Sequence, residues 1–314
     1  MTQSVTASRP SNAAPGAAGI FSRRKNLACV LFHKRELGIE DSRPLESFLR
    51  LVERSEGCTA ESSCRVEARQ QHAARWNLFY HGENRAEFLG GVWGFLEEVA
   101  RSTGAPLDYG LLREFLGEGF QLDRLRKVVT GIDLRKKPGA SRLKVWFMLR
   151  DYAEKVERAI ALHGDDACVR RLIMHDEFLV GFDFRFDGGR AVKLYPDVRP
   201  AELEDPVVRE TVRSALSGEA VDAMERCLWT HIYVARHNSG IVLQCHPAEP
   251  DLFIDRYLDQ ELVRPIHGLY SGTGLLDMVV SFRLSDLGRR PIQDFTVYYM
   301  PQEEPRSPVE PSIT

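Results

Sequence analysis

The 314-residue chain has six cysteines, Cys29, Cys58, Cys64, Cys168, Cys227 and Cys245, and no two of them form a CxxC pair. No structural zinc site is expected on that ground, and scattered single thiols read as reduced cysteines of a cytoplasmic protein. No apolar run approaches the roughly 20 residues that a membrane-spanning helix needs. Charge of one sign is lacking too: 42 Lys and Arg face 45 Asp and Glu, a formal net charge of -3. No global field then recruits nucleic acid or an anionic membrane, and a basic site must be local. The chain has no P-loop, no GxGxxG after a strand and no HExxH. Asp165-Asp166 does not continue into a DDxxD pattern and reads as a solvated loop. His175-Asp176 and His246 lack ligand spacing and read as helix-end or strand-surface polar contacts. No Pro-, Gly- or Ser-rich linker interrupts residues 40–300, so residues 23–300 are expected to form one domain. Low complexity is confined to the ends. Residues 1–22 lack the apolar core of a signal peptide and read as a disordered leader, and the Pro-rich, acidic residues 301–314 read as a disordered tail.

What is present is an alternation of two periodicities. Leu45, Phe48, Leu49 and Val52 have helical spacing behind the start signals Ser42 and Pro44. Five pairs of alternating segments follow: Glu61–Ala68 with Ala74–Tyr80, Lys127–Arg135 with Ser141–Arg150, Glu177–Phe186 with Arg190–Val198, Leu228–Arg236 with Ile241–His246, and Leu275–Arg283 with Gln293–Met300. Turn residues such as Lys137-Pro138-Gly139-Ala140, Asp187-Gly188-Gly189 and Asn238-Ser239-Gly240 join them. Helical stretches lie between the pairs, among them Pro200–Ser217 and Pro250–Leu262. Sequential hairpins imply antiparallel pairing, and ten such strands would leave long edges unless the sheet closed. The predicted fold is an α+β barrel of ten antiparallel strands in five hairpins, jacketed by helices. An open sheet, or two sheets in separate domains, is the alternative.

Splitting each strand by parity separates its chemistry. Leu143, Val145, Phe147 and Leu149 fall on one face, with Lys144, Trp146 and Met148 on the other. By the same parity Glu61 and Arg65, Arg75 and Asn77, Lys127, Asp133 and Arg135, Asp183, Lys193 and Tyr195, and Asp277 share the second face. In a closed barrel these residues line the lumen, and cations interspersed with aromatics suit a ligand with an anionic and an apolar end, such as a lipid diphosphate. In an open sheet the same charges face solvent.

Three blocks, CTAESSCRVEARQQHAARWNLFY (Cys58–Tyr80), GIDLR with SRLKVWFMLRDYAEK (within Gly131–Lys155) and GFDFRFDGGRAVKLYPDV (Gly181–Val198), resemble the cyanobactin-type peptide prenyltransferases, the TruF-like family. The similarity runs from about Pro44 to Met300 and weakens after Ser217. It implies the ABBA prenyltransferase barrel, and transfer of an isoprenyl group from an allylic diphosphate to a side chain of a ribosomally made, usually macrocyclic, peptide, with magnesium (Mg2+) assisting. The resemblance makes Glu61 the catalytic carboxylate, which takes a proton from the attacking hydroxyl, indole, imidazole or guanidine. Arg75, Lys144 and Tyr195 match diphosphate-binding positions, joined by Arg135 and, from the shared face, Lys193. Trp146, Tyr195 and Tyr298 would shield the allyl cation from water. Trp76 and Trp229 read as core. Nearby cations are expected to keep Glu61 ionised near neutral pH.

In that family a bulky aromatic near the start of the fourth hairpin limits the donor pocket, and the aligned stretch here is Trp229-Thr230-His231. With Thr230 and His231 in the prenyl pocket and Thr230 pointing inward, a geranyl donor is expected ahead of dimethylallyl. A non-catalytic carrier of a phosphorylated isoprenoid, or a peptide-binding module, is the alternative. A monomer or weak dimer is expected.

Overall fold

Hydrogen-bonded pairing turns the alternation into a closed wall. The computed structural model describes residues 21–164, 167–175, 177–235 and 240–304. Most of the expected leader, the tail from residue 305, Asp165-Asp166, Asp176 and the turn residues Asn238-Ser239 lie outside the described residues. The strands are β1 (Cys58–Glu67), β2 (Gln70–His72), β3 (Arg75–Tyr80), β4 (Leu125–Asp133), β5 (Arg142–Arg150), β6 (Glu177–Arg185), β7 (Arg190–Tyr195), β8 (Asp197–Val198), β9 (Cys227–Ala235), β10 (Ile241–Pro247), β11 (Leu275–Arg283) and β12 (Phe295–Pro301). Ten of them run in the order β10-β11-β12-β1-β3-β4-β5-β6-β7-β9, and β9 pairs with β10 to close the ring. Every pairing between neighbours around this ring is antiparallel. The short β2 folds back on β1, and β8 adds to β9 after the bend at Pro196. At the β1–β2 loop Ala68 and Arg69 both have positive φ, 49° and 60°, the twist that a two-residue hairpin loop requires.

The outer face is the core. Leu143, Val145, Phe147 and Leu149 have no exposed surface, and Val180 and Phe182 are as deeply buried under the helices. The amphipathic helix Arg43–Arg54 buries Leu45, Phe48 and Val52 of the expected stripe, whereas Leu49 is only partly buried and Leu51 is buried in the core. A second helix, Arg23–Glu36, escaped the periodicity because its buried stripe includes Asn26 and His33. Backbone partners make that burial tolerable: Asn26 Nδ2 donates to the Cys58 carbonyl at 2.7 Å and its Oδ1 accepts from Ala60 N at 2.9 Å. His33 Nε2 meets the Ala73 carbonyl at 2.8 Å, and burial holds its imidazole neutral by lowering the pKa to about 4.

Two expected helices are broken. Residues 200–217 form a short 3-10 turn, Pro200–Glu204, and then the helix Pro206–Ala215, because Pro206 has no N–H to continue the first turn and Asp205 caps a new start by accepting from Val207 N. Residues 250–262 split into Pro250–Tyr257 and Gln260–Tyr270, the second capped by Asp259. None of the six cysteines forms a disulfide. Among the described residues no helix is long and apolar enough to cross a membrane.

Candidate active site

The register fixes which side chains meet in the lumen. Glu61 pairs with Asn77, Asn77 with Gly131, Gly131 with Lys144, and Lys144 with Asp183, one belt across five strands. The next belt joins Phe79, Val129, Trp146, Gly181 and Lys193. Together with residues of β9–β12 they enclose a cavity of about 600 Å³. Two glycines make room for it. A Cβ on Gly181 would stand 2.6 Å from Trp146 Nε1 and 3.1 Å from Tyr195 Cε2, and one on Gly131 would fall 2.5 Å from the Trp76 carbonyl oxygen. Gly181→Ala is therefore expected to lose about 1–3 kcal/mol in denaturant unfolding. Gly90→Ala, at a helical position with nothing within 4 Å, should hold or raise stability.

One end of the cavity is strongly cationic. Asp133, 1% exposed, is reached by Arg75 at 3.4 Å, Arg135 at 2.7 Å, Arg142 at 3.3 Å and Lys144 at 3.9 Å. Asp183 takes Arg142 at 3.0 Å and Lys193 at 2.6 Å. Burial works to raise both aspartate pKa values, but the surrounding cations outweigh it and hold both carboxyls below their usual range. Two carboxylates thus serve five cations. Lys144 feels the surplus: burial first, then Arg75, pushes its pKa well below that of a free lysine. A buried site with more cations than carboxylates can receive a multivalent anion.

Aromatic rings lie against this cluster. Tyr195 stacks on Tyr233 with centroids 5.1 Å apart, and Trp146 Nε1 donates to the Tyr195 hydroxyl at 3.1 Å. Lys193 lies 4.9 Å over Tyr233, Lys144 5.6 Å over Trp146, and Arg75 5.9 Å over Tyr298. Burial raises the Tyr195 and Tyr233 phenol pKa values, so both remain hydrogen-bond donors. These faces can stabilise a cation that forms beside the anion site.

Glu61 faces the same space, 5% exposed, and accepts from Asn77 Nδ2 at 2.6 Å. The expectation that cations keep it ionised at neutral pH is overturned. Burial dominates and pushes its pKa up to about 8; Asp277 raises it further, against the lowering influence of Asn77, Lys144 and Arg75. Both cations are already engaged with Asp133.

The structure brings Glu61, Arg75, Lys144, Trp146, Lys193, Tyr195, His231 and Tyr298 to the cavity wall. Arg135 does not line it and instead supports Asp133 from beyond the end of β4. Thr230 is a correction: the pleat of β9 turns Trp229, His231 and Tyr233 inward, and Thr230, opposite Cys245, faces the helices with no exposed surface. Trp229 is thereby a cavity residue, not core, whereas Trp76 is fully buried as expected. His246 is not a strand-surface contact either, but lines the lumen beneath Trp229, ring centroids 4.4 Å apart. Arg142 went unread although it shares the parity of Lys144 and Trp146. Among the described residues no group of three His, Cys, Asp or Glu side chains converges to hold a metal. Asp133 and Asp183 are taken up by Arg and Lys, so the side chains present do not fit a protein-held magnesium.

A closed ring of ten antiparallel strands, helices outside and the polar chemistry inside, is the ABBA barrel of the aromatic prenyltransferases. A 6-dimethylallyl tryptophan synthase superposes with a TM-score of 0.59 at 16% identity, over 94% of this chain and 100% of that one. The 6-dimethylallyltryptophan synthase from Micromonospora olivasterospora, in complex with DMASPP and Trp, gives 0.57 at 16% identity over 92% and 98%. The prenyltransferase PriB, in a ternary complex with L-tryptophan and dimethylallyl thiolodiphosphate, gives 0.55 at 13% identity over 92% and 99%. At these identities the likeness is one of fold. Residues 24–301 match the model of a family of unknown function, DUF5838, and the chain belongs to that family. No curated protein matches the sequence.

Proposed function

We propose that the protein transfers an isoprenyl group from an allylic diphosphate to a side chain of a ribosomally made peptide, a macrocyclic one being the expected acceptor. The observation that carries this reading is the surplus of buried cations around Asp133 and Asp183, set against aromatic faces and one buried carboxylate. Ionising the C–O bond of an allylic diphosphate develops charge on the leaving group, and prepositioned Arg and Lys lower that barrier. The tyrosines and Trp146 cover the allyl cation and keep water away. Glu61 then accepts the acceptor's proton as the new bond forms. A mere carrier would gain nothing from a carboxylate buried beside its anion site.

The peptide acceptor is supported by the three sequence blocks and by the end of the lumen opposite the cations. That mouth mixes Phe79, Met148 and the exposed Leu276 with Lys127, Glu177 and Arg199, a lining able to meet both main chain and side chains. The face of β9 supports the other order of donors: Trp229, not Thr230, lines the cavity, and its bulk favours dimethylallyl over geranyl. Any magnesium dependence belongs to the donor's own diphosphate. Mass spectrometry of a linear and cyclic peptide panel, incubated with magnesium and C5, C10 or C15 diphosphate, tests the reading. A peptide mass gain, largest with C5, is expected; donor binding without transfer to any peptide would favour the carrier.

A further inference from the structure

Glu61 has a second acid within electrostatic reach, and that acid has a histidine. The register sets Ser62 opposite Tyr299, which puts Met300 beside Glu61, and Met300 is paired with Asp277 on the next strand. Both oxygens of Asp277 lie near His246 Nδ1, at 3.0 and 3.1 Å. With Nδ1–H given to the carboxylate, His246 Nε2 carries the free lone pair. His246 is 7% exposed, held between Trp229 and Asp277, while Asp277 opens to the mouth with 21% of its side chain exposed. The other titratable groups around the pair are His231, whose ring is 5.5 Å from His246, and Lys127. Burial, with help from His246 and Lys127, keeps His231 neutral, its pKa lowered to about 3. Burial likewise lowers the pKa of Lys127, against the opposing pull of Asp277.

We propose that His246, oriented by Asp277, is the second proton station of the lumen, which receives the proton that Glu61 takes from the acceptor and passes it to solvent at the mouth. The inference rests on the transfer reaction proposed above. In each turnover the donor C–O bond breaks with its electron pair leaving on the diphosphate, the bond from carbon to the acceptor atom forms, and the acceptor's proton moves to Glu61. The site is restored only when that proton leaves a carboxyl that burial has made a good proton holder. The five cations around Asp133 and Asp183 occupy the opposite end of the lumen, and the part-exposed Asp277 stands at the mouth with Lys127, so the exit lies toward Asp277. One strand, β12, lies between Glu61 and Asp277, roughly 10 Å between main chains at ordinary strand spacing, and Glu61 and His246 line the same cavity, where a solvent molecule hands the proton from the Glu61 carboxyl to His246 Nε2. His246 acts through Glu61, not on the acceptor.

The test compares His246→Gln, His246→Ala and Asp277→Asn with the wild type, using the peptide and donor found by mass spectrometry. Turnover is expected to fall at least tenfold in all three, with the donor KM unchanged. In His246→Ala it should recover as imidazole is added, while the wild type remains indifferent to buffer concentration. A structural defect would not give buffer-dependent recovery. Wild-type turnover in both His246 variants, or a loss that imidazole leaves untouched, would overturn the relay and leave the transfer reaction standing. Absence of transfer by the wild type would remove both.

Discussion

Glu61→Gln is expected to cut peptide prenylation by roughly 10²–10⁴ while leaving donor affinity nearly unchanged. Gln keeps the shape of the side chain and can still accept from Asn77 Nδ2, so the wall between β1 and β3 should hold. What it removes is the base. Because burial raises the Glu61 pKa to about 8, the carboxyl is mostly protonated at neutral pH, and the reactive form grows about tenfold for each pH unit up to that point. Turnover in the wild type should therefore climb on the acid side and level off above about pH 8. Asn77→Leu removes a hydrogen bond that stabilises the ionised form, so the same limb should move to higher pH. A pH-rate profile of the wild type, Glu61→Gln and Asn77→Leu checks all three. Near wild-type turnover in Glu61→Gln would take this residue out of the mechanism and bring the carrier reading forward.

Strand parity made much of this site readable before any coordinates. A residue two positions along a strand faces the same way, so Lys144, Trp146, Asp183 and Gly181 could be assigned to one surface from spacing alone, and the register bears this out. Closure of the sheet followed from the count of hairpins, since each edge left open would expose unpaired backbone. Three things were beyond that reasoning. The inward face of β9 could be missed by a one-residue slip, and Thr230 against Trp229 and His231 shows how completely such a slip inverts a pocket. The part played by Asp133 and Asp183 depends on contacts between strands well separated in sequence, Arg75 with Asp133 and Arg142 with Asp183, which fix cations that parity alone leaves unpaired. The basicity of Glu61 depends on how dry its surroundings are, and no local pattern carries that quantity. The helix Arg23–Glu36 illustrates the same limit on the outside of the barrel, because Asn26 and His33 look solvated until their backbone partners are seen.

Lys144→Met should weaken donor binding by roughly 10- to 100-fold, the loss of one charge-assisted contact in a buried site, at about 1.5–3 kcal/mol. Arg75→Ala should do the same. Neither change strands Asp133, which keeps its other cationic partners in each variant, so the loss should appear in affinity for the donor and not in unfolding. Lys144 carries a second, more distinctive signature. Its pKa is lowered by burial and by Arg75, and a diphosphate placed beside it would favour the ammonium form and raise that pKa again. Donor binding should then take up protons over the pH range between the lowered pKa and that of the complex. Calorimetry with a nonhydrolysable donor analogue, repeated in buffers of different ionisation enthalpy, counts them. Glu61 is the other group that could gain a proton when an anion arrives, so Glu61→Gln is the necessary control. Uptake that survives Glu61→Gln and disappears in Lys144→Met would identify Lys144 as the group that senses the diphosphate. Unchanged affinity in both Lys144→Met and Arg75→Ala would mean that the anion does not sit on this cluster, and would move the donor site elsewhere in the lumen.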